Sequence, residues 1–199
     1  MSDILCVTNR HLCPDDFLMK LAAIVAARPA GIILREKDLT EREYESLARQ
    51  VLRLCRENHV LCILHSFVGA ARELGAEAIH LPLPLLRDMS DEQKACFRMI
   101  GASCHSVEEA LEAQGLGCTY ITAGHIFETD CKDGLPGRGV NFLQCVCGTV
   151  SIPVYAIGGI SRDNIALVRS AGVRGACVMS GLMRCADPLR YLQSLKVAE

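Results

Sequence analysis

His125 heads the stretch "GHIFETDCKDGLPGRG" (124–139), which gathers two acids before a cysteine, two cations and four glycines within sixteen residues. An imidazole that ionises near neutrality can both accept and donate a proton at pH 7, so His125 is the first candidate for acid–base chemistry. The competing reading is a hydrogen-bonded structural histidine. A second set of groups suits anions. Arg35 and Lys37 alternate to one side of an extended segment with Glu36 opposite, so both cations could meet one anionic group. The plain alternative is a solvated strand end with Arg35 paired to Glu36 or another acid. "AIGGIS" (156–161) and "VMSG" (178–181) place Gly158, Gly159, Ser180 and Gly181 where backbone N–H groups could cradle a phosphate; the alternative is tight turns alone. Ser103 and His105 form a weaker pair, because Ser106 reads as a helix cap whose turn His105 could merely support. His11, His59 and His80 are assigned structural roles. Metal chemistry draws no support: there is no CxxC pair, and Cys145 and Cys147 would diverge on a helix.

These residues must be held by a regular alternation of elements. β-rich runs occur at 4–8, 31–36, 61–66, 78–83, 102–106, 120–126, 154–159 and 175–180, with helical segments at 15–27, 40–58, 106–114 and 162–172 between them. Thr40 with Glu43 and Ser106 with Glu109 have capping-box spacing. Gly75, Gly117, Gly172 and Gly175 stand before strands, where helix C-terminal caps need positive φ. Eight βα units in one chain predict a single-domain (β/α)8 TIM barrel over 1–199; an open doubly wound sheet is the alternative. In such a barrel the chemistry collects at the C-terminal ends of the strands, where Arg35, Lys37, His65, Ser66, Ser103, His105, His125, Gly158, Gly159, Ser180 and Gly181 fall.

The chain has 199 residues, half of them hydrophobic, and a net charge of −2, enough for a sizeable core and without the basic field that nucleic acid requires. No apolar run approaches the ~20 residues of a membrane span and no export signal is legible, so the expectation is a cytoplasmic protein with a small-molecule ligand. The twelve cysteines are spread through apparent strands and helices, and are expected to be mostly reduced core residues.

With these segments assembled, the chain resembles the thiamine phosphate synthase/TenI superfamily over nearly its full length, and most of all its TenI-type thiazole tautomerase branch. The resemblance is carried by "LREKD" (34–38), "HLPL" (80–83), "HSVEEA" (105–110), "GHIFETDCKDGLPGRGVNFL" (124–143), "IPVYAIGGIS" (152–161) and "GACVMSG" (175–181). Where a synthase-like chain carries an Asn-Asp pair after the third strand, this one has His65 and Ser66, and the acid expected after the fourth is replaced in "PLPL", ending at Leu85. Ile33 stands for a glutamine and Cys131 for a threonine.

The resemblance implies aromatisation of a carboxythiazole phosphate in thiamine biosynthesis, without a cofactor, with His125 moving protons. It places the phosphate at Gly158, Gly159, Ser180 and Gly181 and the carboxylate near Arg35. Lys37, Ser103, His105 and Lys132 are further substrate-contact candidates, and residues 127–138 form a loop that could cover the site. Two alternatives stand beside it: a thiamine phosphate synthase joining hydroxymethylpyrimidine pyrophosphate to thiazole phosphate with Mg2+, and a non-catalytic sensor of a phosphate ligand. Family resemblance also suggests a homodimer.

Overall fold

The computed structural model describes residues 3–14, 16–129 and 134–196. Its strands are β1 (Ile4–Val7), β2 (Gly31–Leu34), β3 (Leu61–His65), β4 (Ala78–Pro82), β5 (Met99–Cys104), β6 (Tyr120–Gly124), β7 (Val154–Ile157) and β8 (Gly175–Val178). They run parallel and close into a barrel in chain order. Because β1 pairs with both β2 and β8, the sheet has no edge, which removes the open doubly wound alternative. Each expected β-rich run contains a strand, but most ladders stop one or two residues early. Arg35, Ser66, His105, His125 and Gly158 lie just beyond the strand ends, outside the sheet. β5 differs at its other end, starting at Met99 rather than 102, since Ala78 pairs with Met99 in the β4 ladder.

Both faces of these strands are covered, so they read as near-continuous apolar runs, and all four residues of β1, β2 and β8 are buried. Alternation then divides the core in two. Ile4, Cys6, Ile32, Leu34, Leu64 and Ile79 point outward under the helices. Leu5, Val7, Ile33, Ile63, Tyr120 and Cys177 form a separate cluster inside the barrel. Cys6, Cys55, Cys62, Cys104, Cys118 and Cys177 are buried, and every described cysteine is free. No described helix is long and apolar enough to cross a membrane.

Helix starts follow the expected chemistry in one case and modify it in the other. Thr40 and Glu43 form the full capping box at the head of the helix Glu41–Glu57. Ser106 accepts the Glu109 amide at the head of Val107–Gly115, but the Glu109 carboxylate accepts from the His105 N–H instead of closing the box on Ser106. Gly75, Gly117 and Gly172 have positive φ as expected for caps; Gly175 does not, and lies within β8, where a Cβ would stand 2.0 Å from the Asp3 carbonyl.

The same helix ending occurs three times with different residues. After Val68–Glu73 and Val107–Gly115, the amides of Gly75 and Gly117 donate to Arg72 and Gln114, while those of Ala76 and Cys118 reach back to Ala71 and Ala113, the doubled pattern of a Schellman motif. After Glu41–Glu57 the left-handed position is His59, at φ 56, with His59 donating to Arg56 and Val60 to Cys55. His59→Gly is therefore expected to raise the unfolding free energy by about 0.5–1 kcal/mol, the left-handed strain outweighing the extra chain entropy of glycine. Urea unfolding reads this directly, and a lower midpoint would contradict it.

Candidate active site

A cavity of about 330 Å³ opens at the C-terminal ends of the strands. Arg35, Lys37, His65, His80, Ser103, His105, His125, Gly158, Gly159 and Ser180 all line it. The two cations reach it because alternation on β2 continues past its end. Glu36, between them, is buried on the opposite side, where its carboxylate accepts from the Thr8 hydroxyl at 2.6 Å and from Arg10. Thr8 in turn accepts the Arg35 amide at 2.9 Å. Glu36 is thus matched to Arg10 rather than to Arg35, and among the described residues no acid pairs with Arg35. The mouth has a cationic side.

The floor is a neutral polar network. His80 is fully inside the barrel, with Nδ1 2.9 Å from the Tyr120 hydroxyl and Nε2 2.9 Å from Ser103 Oγ. His65 stacks near it, ring centroids 5.8 Å apart, and its Nδ1 lies 2.7 Å from Ser66 Oγ. Tyr44, from the helix Glu41–Glu57, accepts the His65 amide and donates to the Leu34 carbonyl, tying the ends of β2 and β3 together. Burial pushes the His80 pKa down to about 3. Burial, then His80, Arg35 and Lys37 push His65 down to about 2.

Both histidines are neutral in the folded state while their unfolded counterparts protonate near pH 6.5, so the unfolded chain binds more protons below that value. Their contribution is complete above pH 6.5 and is lost as pH falls toward 3, by about 1.4 kcal/mol per pH unit for each. Chemical denaturation at pH 7, 6 and 5 is expected to show this decline, and His80→Gln to reduce its slope. A profile flat over that range would mean the floor is not neutral.

His125 follows β6 directly. Its Nε2 lies 3.1 Å from the Leu135 carbonyl oxygen, and its own carbonyl accepts from Arg138, so ring and backbone are both held by the far end of the glycine-rich segment. A carbonyl can only accept, which puts the proton on Nε2 and leaves Nδ1 with the lone pair in the neutral ring. His105 has Nδ1 2.7 Å from the Gly124 carbonyl. Gly158 and Gly159 run against this segment: a Cβ on Gly158 would stand 2.3 Å from His125 Cβ, and one on Gly159 2.4 Å from the Glu128 carbonyl oxygen. The glycine pair therefore makes room for the His125 segment as well as lining the cavity.

Gly181 is not among the lining residues; a Cβ there would meet the Tyr191 hydroxyl at 1.9 Å, so its missing side chain accommodates that ring. Lys132 and Cys131 lie outside the described residues. His80, expected to be merely structural, lines the cavity together with Thr122, and Tyr120 supports it from below. The signal was parity: His80 alternates with Ile79 and Leu81, so it shares the inward face with Ala78.

Magnesium requires oxygen ligands, usually including one or two carboxylates. Glu109 is the lining carboxylate among the described residues, and it already holds the His105 amide. No described group of three His, Cys, Asp or Glu side chains could hold a metal ion.

Comparison with known proteins places the chain among relatives that share more than its fold. The thiamine-phosphate synthase of Desulfitobacterium hafniense is 33% identical over 196 residues, 95% of this chain and 93% of that one. Thiamine-phosphate synthase 2 of Streptococcus pneumoniae is 32% identical over 187 residues, 91% and 87% of the two chains. The solved structure of a thiamine phosphate pyrophosphorylase from Pyrococcus furiosus superposes with a TM-score of 0.84 at 31% identity, covering 96% of this chain and 92% of that one. These names support the superfamily, whose members act in thiamine biosynthesis, and favour its synthase over the TenI branch to which the motifs pointed. Residues 4–182 match the TMP-TENI family, described as thiamine monophosphate synthase, and the chain belongs to that family.

Proposed function

We propose that the chain is an isomerase of thiamine biosynthesis that aromatises a carboxythiazole phosphate by proton transfer, without a metal. The observation that carries this reading is His125, fixed at the cavity by Leu135 with Nδ1 left to the substrate. The substrate phosphate sits at Gly158, Gly159 and Ser180, and the ring carboxylate faces Arg35. Proton transfer at His125 Nδ1 carries the tautomerisation: the ring C2 proton leaves, the C–H electron pair enters the ring, and a proton is added to the exocyclic carbon. Arg35 offsets charge that develops on the carboxylate side as C2 loses its proton. Lys37, Ser103 and His105 complete the substrate wall.

The names of the relatives favour a second reading, thiamine phosphate synthase. Two assays on the purified chain separate them. Conversion of the non-aromatic carboxythiazole phosphate, followed by ultraviolet absorbance in the presence of EDTA, is expected for the isomerase. Magnesium-dependent thiamine phosphate formation from hydroxymethylpyrimidine pyrophosphate and thiazole phosphate, with no aromatisation, would establish the synthase instead. Binding without turnover in either assay would leave a phosphate-ligand sensor.

A further inference from the structure

His105 is held as firmly as His125 and by the complementary nitrogen. Its backbone N–H donates to the Glu109 carboxylate, and its ring Nδ1–H donates across to the Gly124 carbonyl on β6. In the neutral ring the lone pair is therefore on Nε2, which has no hydrogen-bond partner among the described residues. A residue serving only the helix turn at Ser106 would not need its ring tied to the neighbouring strand. The carbonyl that fixes it belongs to the peptide unit joining Gly124 to His125.

Strand order gives the two histidines different neighbours. Cys104 is level with Ala123 and Gly124 is level with Ile157, which puts His105, His125 and Gly158 in sequence around the mouth. His125 packs on Gly158, whereas His105 stands one strand further away, about 4.8 Å at ordinary inter-strand spacing. With the phosphate at Gly158, as the isomerase reading has it, the exocyclic carbon, close to the phosphate ester along the side chain, lies toward His125. Ring C2 lies further along, toward His105.

Resting on that isomerase reading, we propose that the two proton transfers are divided: His105 Nε2 takes the C2 proton, and His125 delivers a proton from Nδ1 to the exocyclic carbon. The C2–H bond breaks and its electron pair becomes a ring π bond. The exocyclic double bond is consumed as its carbon gains hydrogen, and substrate and product keep one formula. His125 enters as imidazolium and leaves neutral; His105 does the reverse, and exchange with water resets both.

Deuterium oxide separates the half-reactions. Wild-type protein is expected to give product carrying one deuterium at the exocyclic position. His125→Asn should lose aromatisation yet still wash deuterium into C2 of the recovered substrate, read by mass spectrometry and NMR. His105→Asn should lose both, with exchange at least ~100-fold slower. The amide of His105→Asn stands where Nδ1 does and can keep the Gly124 contact; His105→Gln should behave alike, and the thermal midpoints of both guard against loss of fold. Wild-type rates in both His105 variants, or C2 exchange lost in His125→Asn but kept in His105→Asn, would overturn the division while leaving the isomerase intact. Wild-type protein that neither aromatises nor exchanges would remove the isomerase reading and this division with it.

Discussion

His125→Asn is expected to lower turnover of the non-aromatic carboxythiazole phosphate by about 10²- to 10⁴-fold, the range in which a positioned acid–base group contributes. The fold should survive, because the ring gives up one hydrogen bond, to Leu135, at a cost of about 1 kcal/mol. The asparagine amide stands where Nδ1 does, does not reach that carbonyl, and has no nitrogen that can take up a proton. Loss of kcat with little change in KM would place the effect in the reaction step. Turnover within a factor of a few of wild type would remove His125 from the mechanism.

Gly158→Ala is expected to be nearly as damaging although it deletes nothing. Its φ is +101°, where a side chain is strained, and the new Cβ would stand 2.3 Å from His125 Cβ and 2.7 Å from its Cα. Relief to ordinary contact requires a movement of about 1 Å, and a displacement of that size in a catalytic group costs about 10²-fold. Stability should fall by about 1–3 kcal/mol as well. Gly148→Ala, in the helix Gly139–Thr149 with open space around its Cβ, is the control: activity unchanged and stability equal or slightly higher. If Gly158→Ala retains wild-type activity, the backbone contact does not position the histidine.

The barrel was legible because alternating β and α segments carry long, redundant patterns. Each strand run was apolar on both faces, and Thr40, Ser106, Gly75 and Gly117 punctuated the helices as physical chemistry demands. The wall of the site was readable from strand ends: Arg35, Lys37, Ser103, His105 and His125 all meet at the cavity. Its floor was harder. His80 and Thr122 are single polar residues inside apolar runs, and only their inward parity, combined with a barrel of known sense, separates a cavity residue from a core one. Glycines were ambiguous for a different reason. The absence of a side chain at Gly181 and Gly158 does not say what fills the space, and the answers are a tyrosine ring in one case and the His125 backbone in the other.

The alternation on β2 links folding fidelity to ligand charge. Gly31 is paired to Leu5 on one side and Leu61 on the other, and a Cβ there would meet both at 3.1–3.3 Å, so the strand is pinned from two directions. A slip of one residue would turn Glu36 into the cavity and send Arg35 and Lys37 beneath the helices. The mouth would then repel anions. Affinity for inorganic phosphate thus becomes a reporter of correct strand pairing, able to distinguish the native barrel from a register-shifted one with the same secondary structure content.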